Sequence, residues 1–250
     1  MEQTGGIFYH YLALRNSVRY WRDYQVSIEA FLSEALDSQE KLLVGPSGGY
    51  SLSKCHFLQI NSDDKIAELD PMARLLLKYK VKQKLDWINE DLFVIERDPS
   101  LSAKLSSTNF NHTVSKRMVF CNMLGQLAYQ YPGYSEDYWL IFFNEFLAQL
   151  NAEIYSYHDR WTLIANKKTL DLFEREFKLL DFEQRAQLDL KNFSHSILKN
   201  LKTTSKKSFE ILEHPTVKND SLSLNLRAVA SWRRTKNCLH LIHCISSANL

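Results

Sequence analysis

Three of the chain's seven glycines fall within five consecutive positions, Gly45-Pro46-Ser47-Gly48-Gly49. Glycine loses more backbone freedom on folding than any other residue, so such clustering asks for a physical reason. The four residues before it, Lys41-Leu42-Leu43-Val44, form a short apolar run, the pattern of a buried strand entering a tight turn. A strand, a glycine turn and a following helix bring backbone N–H groups and a helix N-terminus to one spot. There the backbone can approach a nucleotide-like ligand with no side chain in the way. An ordinary strand-to-helix turn would use the same residues.

Glu68 lies roughly 20 residues beyond Gly49 and ends a second short strand candidate, Lys65-Ile66-Ala67-Glu68. An acid at that distance accepts hydrogen bonds from vicinal ribose hydroxyls, and the charge strengthens them. The string Glu96-Arg97-Asp98-Pro99 offers an alternative acid, at a spacing that would require an insertion.

Further along, short apolar runs alternate with helical periods. Leu12 to Leu36 carries a helical period, and a helix opens at Pro71 and continues through Met72, Leu75, Leu76, Leu77 and Tyr79. Leu85 to Ile88 is a weak third strand, residues 96–113 read as loop, and Arg117 to Cys121 is a fourth strand. Tyr138 to Leu150 is an apolar helix, followed by a fifth strand at Glu153 to Tyr157. Residues 167–202 read as one or two amphipathic helices, and Leu224 to Trp232 and Cys238 to Ile245 as a hairpin about Thr235-Lys236-Asn237. This order predicts an α/β fold: a mostly parallel seven-stranded sheet with helices on both faces and a C-terminal antiparallel hairpin. The whole chain, 1–250, reads as one domain. It comprises an N-terminal helical element (1–37), a ligand-binding core (40–160), a helical segment (161–223) and the closing hairpin (224–246).

Composition narrows the class. A net charge of +2 gives no bulk field toward nucleic acid or an anionic membrane, and the basic runs 78–84 and 202–207 read as solvated helix faces. Met1 to Gly6 is polar and does not read as a secretion signal, and no apolar stretch reaches the length of a membrane span. Cys55, Cys121, Cys238 and Cys244 include no Cys-x-x-Cys pair, so no metal is expected; Cys121 and Cys244 read as buried hydrophobes. A reduced, cytoplasmic protein is expected.

Leu42-Leu43-Val44-Gly45-Pro46-Ser47-Gly48-Gly49 resembles the first motif of the class I S-adenosylmethionine-dependent methyltransferases, which have a Rossmann-like fold. Ile66-Ala67-Glu68-Leu69-Asp70-Pro71 is similar to their second motif, and Phe120-Cys121-Asn122-Met123-Leu124-Gly125 to their fourth, beside the methyl-transfer site. Asp91 falls where the family keeps a polar or acidic residue near the adenine amino group, and the closing hairpin resembles its last two strands. The resemblance covers roughly residues 40 to 245. It implies S-adenosylmethionine as cofactor, held by Gly45, Pro46, Ser47, Gly48, Gly49, Glu68, Asp91 and Asn122. The glycine motif is Gly-x-x-Gly-Gly, with Ser47 where a glycine often stands. Asn122 lacks the Pro-Pro-aromatic sequel of many nucleic-acid amino-methylating enzymes, so their substrate class is not carried over; the acceptor stays open, with a small molecule or a protein favoured. A non-catalytic nucleoside-binding or interaction protein on the same fold is the competing reading. A nicotinamide-dependent oxidoreductase accounts for Glu68 but not for Asn122 or the hairpin.

Methyl transfer asks for alignment, exclusion of water and, for an alcohol or ammonium acceptor, a general base. The candidates are Asn122, Tyr157, His158 and Asp159, with His158 a base oriented by Asp159. Equally, Tyr157-His158-Asp159-Arg160 reads as a structural polar turn with Asp159 capping the next helix. His240 and His243 are expected to be structural, on opposite faces of the last strand. Tyr20, Trp21 and Tyr24 are expected to pack on the sheet rather than to lid a pocket.

Overall fold

The computed structural model describes residues 6–37, 40–93, 115–124, 126–127, 134–200, 209–214 and 224–247. The expected loop 96–113 with its alternative acid Glu96, residue Gly125 and the basic run 202–207 lie outside them.

At the centre stands β1 (Lys41–Val44), buried at every position. It pairs in parallel with β2 (Lys65–Ala67) on one edge and with β4 (Arg117–Cys121) on the other. Beyond β2 lies β3 (Asp86–Ile88), and beyond β4 lies β5 (Glu153–Ile164), both parallel to their neighbours. The hairpin of β7 (Asn225–Thr235) and β8 (Cys238–Ser246) then adds antiparallel to β5, giving the order β3-β2-β1-β4-β5-β8-β7. The expected parallel sheet with a closing hairpin is present. A further strand, β6 (Glu210–Glu213), pairs with Trp161 to Ile164 of β5, so the sheet has eight strands instead of seven.

Both faces of the sheet are covered, as a parallel sheet requires. On one face Leu43, Val119, Tyr155 and Tyr157 pack under the N-terminal helices through Tyr24, Ile28, Phe31 and Leu32. The residues between them in sequence, Leu42, Val44, Met118 and Phe120, turn to the other face. There they meet Trp139, Phe142, Phe143 and Phe146. A third core lies between the C-terminal strands (Leu163, Leu239, Leu241) and Leu170, Phe173 and Phe177. The buried Lys41 side chain is fixed at the head of β1 by Asp64 (Nζ–Oδ2 2.7 Å) and by the Gln59 carbonyl (2.8 Å).

Several expected boundaries need correction. The period from Leu12 to Leu36 is cut at Trp21 and Ile28 into α1 (Gly6–Tyr20), α2 (Arg22–Ser27) and α3 (Glu29–Leu36). A six-residue helix, α4 (Lys54–Gln59), precedes β2 and is too short to show an apolar period. α5 (Pro71–Lys80) starts at proline as expected, with Asp70 as its N-cap. α6 (Glu136–Gln149) occupies the expected apolar helix. Residues 167–200 form three helices: α7 (Lys167–Leu179), α8 (Phe182–Ala186) and α9 (Leu190–Asn200). The largest difference is β5, which continues seven residues past the expected end to Ile164. The string from Tyr157 to Arg160 is therefore strand and not turn, and the next helix is capped by Asn166 instead of Asp159.

Candidate functional site

The C-terminal ends of β1, β2 and β4 meet at one edge of the sheet. At the end of β1 the chain turns through Gly45 and Gly49, both at φ +65°, with Ser47 between them at φ +53°. A side chain at Gly45 would run into that of Met123, and one at Gly49 would meet Phe57 Cε1 at 2.8 Å. The glycines are thus needed for both conformation and packing.

The loop's amides serve the protein itself. Gly45 N–H donates to Ala67 O (2.8 Å), Ser47 N–H to Glu68 Oε2 (2.8 Å) and Gly49 N–H to Pro46 O (3.0 Å). The helix expected directly after the loop begins only at Lys54, so its N-terminus is not part of the turn. The loop and Glu68 are nonetheless brought together. The Glu68 carboxylate bridges from Ser47 N–H to Asp70 N–H (3.0 Å). Burial pushes its pKa up against the pull of those two amides. Arg74 ties β2 to the next strand end, donating to Glu68 O, to Ile88 O (3.1 Å) and to Asn89 Oδ1 (2.6 Å). Asp91 lies just beyond, exposed, with Oδ1 accepting from Phe93 N–H at 2.9 Å.

Helix α1 lies across this edge. The Tyr9 side chain hydrogen-bonds that of Ser47 and lies within electrostatic reach of Arg234, Asp159 and Glu68; burial raises its pKa. His10 bonds Tyr50 Oη through Nδ1 (2.7 Å) and Asp70 Oδ2 through Nε2 (3.1 Å). Trp21 and Tyr24 pack against Trp232 on the sheet face as expected, with ring centroids 5.0 and 5.4 Å away. The helix before them, however, roofs the glycine turn through Tyr9 and His10.

Asn122 ends β4 at φ +57°, and with Ser47 it puts two non-glycine residues in the left-handed region at adjacent strand ends. Such conformations carry strain and collect where ligands bind. Asn122 Oδ1 accepts from Asp159 N–H at 3.0 Å, and Nδ2 approaches Asp159 Oδ2 at 3.5 Å. Asp159 does not orient His158, because neighbouring residues on a strand face opposite ways. His158 turns to the far face, with Nδ1 3.1 Å from Ser156 Oγ and Nε2 buried without a hydrogen-bond partner. Burial first, then the facing His243 and Arg160, push its pKa down to about 3, which leaves it neutral.

The partner of Asp159 is His240, with Nδ1 3.2 Å from Oδ2. The register between β5 and β8 shifts between Asp159 and Trp161, so Arg160 is an extra residue opposite β8. This bulge puts Asp159 on the same face as Thr162, three residues later, and both reach His240. Burial would lower the His240 pKa, but the Asp159 carboxylate overrides it and lifts it to about 9. Asp159 Oδ1 remains buried with no hydrogen-bond partner. His240 and His243 lie on opposite faces as expected, and His240 is the residue that pairs with Asp159. Its two-residue spacing from Cys238 was the available signal, whereas the bulge that delivers Asp159 leaves no mark in the sequence. Tyr157 points into the core beside Tyr24 and Cys121. Among the described residues no cluster of three or more His, Cys, Asp or Glu could hold a metal ion.

No protein-family model and no curated protein matches this sequence. Solved structures similar to it include magnesium protoporphyrin IX methyltransferase from Synechocystis PCC 6803 with bound S-adenosylhomocysteine. That similarity has a TM-score of 0.41 at 10% identity, over 98% of this chain and 90% of that one. A protein described as an S-adenosylmethionine-dependent methyltransferase from Listeria monocytogenes is similar with a TM-score of 0.41 at 9% identity, over 91% and 99%. In this chain itself, the parallel strands β3-β2-β1-β4-β5 and the closing antiparallel hairpin are those that the resemblance to class I methyltransferases implies.

Proposed function

We propose that the chain binds S-adenosylmethionine at the ends of β1, β2 and β4 and passes its methyl group to an acceptor held at Asn122 and Asp159. The observation that supports this most is Asp159 Oδ1, a buried carboxylate oxygen with no hydrogen-bond partner beside the left-handed Asn122. A buried polar atom left unpaired costs about 1–3 kcal/mol, which a donor on a bound molecule would recover. The residues fit the cofactor. Each Glu68 oxygen accepts one amide and keeps lone-pair capacity for a ribose hydroxyl. Asp91 is exposed at the neighbouring strand end for the adenine amino group.

When bound, the cofactor supplies an activated sulfonium methyl. The chain's residues then position and shield. Tyr9 and α1 cover the turn from water, and Asp159 Oδ1 accepts the O–H or N–H of the acceptor and holds it in line. The proton on His240 keeps Asp159 ionised. A small-molecule or protein acceptor is the reading for the partner. A cytoplasmic setting accompanies it, with the four cysteines free. Among the described residues no helix is long and apolar enough to cross a membrane.

Thermal unfolding with S-adenosylhomocysteine tests the binding step. At 100 times its dissociation constant a ligand adds about 2.7 kcal/mol, a shift of roughly 5–11 °C at this size. No shift with either adenosyl ligand would refute the proposal. A second reading, an interaction protein on this fold, is favoured by the loop amides and Glu68 satisfying one another without a ligand. It expects that absence of a shift.

A further inference from the structure

A second group of chemically competent side chains begins at Asp159 and runs away from the glycine turn. β8 opens at Cys238, directly after the turn at Lys236 and Asn237, and Cys238 is only partly buried. Residues two apart on a strand share a face, so Cys238 and His240 are neighbours there. Cys238 Sγ is 3.4 Å from His240 Nε2. The other ring nitrogen, Nδ1, is 3.2 Å from Asp159 Oδ2 and 3.1 Å from Thr162 Oγ1. Thr162 Oγ1 in turn lies 2.7 Å from His214 Nε2. A nucleophile, a ring and an orienting carboxylate stand in line, the sulfur nearest solvent and the other two buried.

Two further observations point to a bound group. Trp232 pairs with His240 across β7 and β8, with ring centroids 5.1 Å apart, and its indole N–H is buried without a hydrogen-bond partner. Asp159 Oδ1 is unpartnered as well. A purely structural ion pair in the core has no use for a sulfur at the open end of the row or for a free donor beside it.

We propose that Cys238, His240 and Asp159 form a nucleophilic thiol site that takes an acyl group from an activated ester or thioester. The Cys238 thiol proton passes by way of His240 Nε2 to the leaving group as the sulfur attacks the acyl carbon. The Sγ–C bond forms and the bond from carbon to the leaving oxygen or sulfur breaks. The leaving group departs with the electron pair and collects the Nε2 proton, so that no oxidant or further reactant is required. Trp232 N–H is the donor available to the oxygen that gains charge in the intermediate. Asp159 and His240 keep each other ionised, and His214, Arg234, Tyr9, Tyr24 and His158 are further titratable groups in reach of Asp159. The site shares Asp159 and His240 with the proposed acceptor position, but no step uses the glycine turn or Glu68, so its test does not require the methyl donor to bind.

The test treats the full chain with p-nitrophenyl acetate near neutral pH and follows acetylation of each cysteine by peptide mass. Cys55 is exposed and is the internal reference, while Cys121 and Cys244 are buried. Cys238 should be acetylated at least about tenfold faster than Cys55 despite its lower exposure, and His240→Gln should remove that excess with Cys55 unchanged. Acetylation of Cys55 at an equal or greater rate overturns the proposal, as does a folded His240→Gln protein with unchanged Cys238 reactivity. Should that variant not fold, the Cys238-to-Cys55 ratio in the unaltered protein decides alone. S-adenosylhomocysteine titration of the same samples reports separately on the glycine turn.

Discussion

Two neutral histidines in the core should make this fold sensitive to mild acid. His158 on β5 and His243 on β8 face each other in register, and each has a buried Nε2 with no hydrogen-bond partner. Burial holds both near a pKa of about 3, with Arg160 adding to the effect on each and each ring facing the other. In the unfolded chain they take up a proton near 6.5. Between those values the unfolded state binds more protons than the folded one, so stability falls as pH falls. At pH 5 each histidine costs about 2 kcal/mol relative to pH 7.5, about 4 kcal/mol for the two. That is a large share of the 5–15 kcal/mol a domain commonly has. His56, also lowered by burial, acts in the same sense, while Glu68 and Glu174, raised by burial, act against it. His240 works on the other side. It keeps its proton to about 9, so its contribution is whole below pH 6.5 and is lost between 6.5 and 9. Urea unfolding from pH 5 to 9 should therefore give a maximum near pH 6.5–7, and a His158→Gln, His243→Gln protein should lose most of the acid limb. A flat profile between pH 7.5 and 5, or an unchanged acid limb in the double variant, would refute the reasoning.

Three other outcomes are expected. Glu68→Ala should weaken S-adenosylhomocysteine by roughly 10- to 150-fold, about 1.5–3 kcal/mol, as measured by calorimetry, because a charged hydrogen-bond partner is lost. Lys41→Met should cost about 3–5 kcal/mol in urea unfolding by leaving the buried Asp64 without its cation, and Asp64→Leu in the same chain should recover much of that loss. Gly49→Val should lower stability by about 1–3 kcal/mol before any ligand is added, since φ is +65° and Phe57 and Leu77 fill the space; differential scanning calorimetry would show it.

The strand order was legible where local pattern and tertiary role agree. Leu42 to Val44 and Met118 to Cys121 are covered on both faces, and continuous apolar runs say so without any knowledge of the partner strand. The glycine turn and Asp70-Pro71 are short-range signals of the same kind. β5 was only half legible, because His158, Asp159 and Arg160 interrupt its apolar run and read as a turn. They are tolerated inside a strand because β8 and the bulge supply partners from residues far away in sequence. The pairing of Asp159 with His240 is therefore a property of register, which a single strand does not carry. The breaks at Trp21 and Ile28 come without glycine or proline, and α4 and β6 are too short to show a period.

The pairing of β1 with β4 joins segments separated by everything from Gly45 to Lys116. β1 with β2, and β7 with β8, close far shorter loops, and closure entropy grows with loop length. Closing the β1–β4 seam therefore costs more entropy than pairing β1 with β2, a slow step by topology that it shares with the equally long-range pairing of β5 with β8. Glu68 stands on one side of that seam, and Asn122 and Asp159 stand on the other. A ligand that touches both sides is a clasp across that seam. On the proposed function, the supply of that ligand and the lifetime of the assembled sheet are then linked, and amide exchange in Leu42 to Val44 should slow most when it binds.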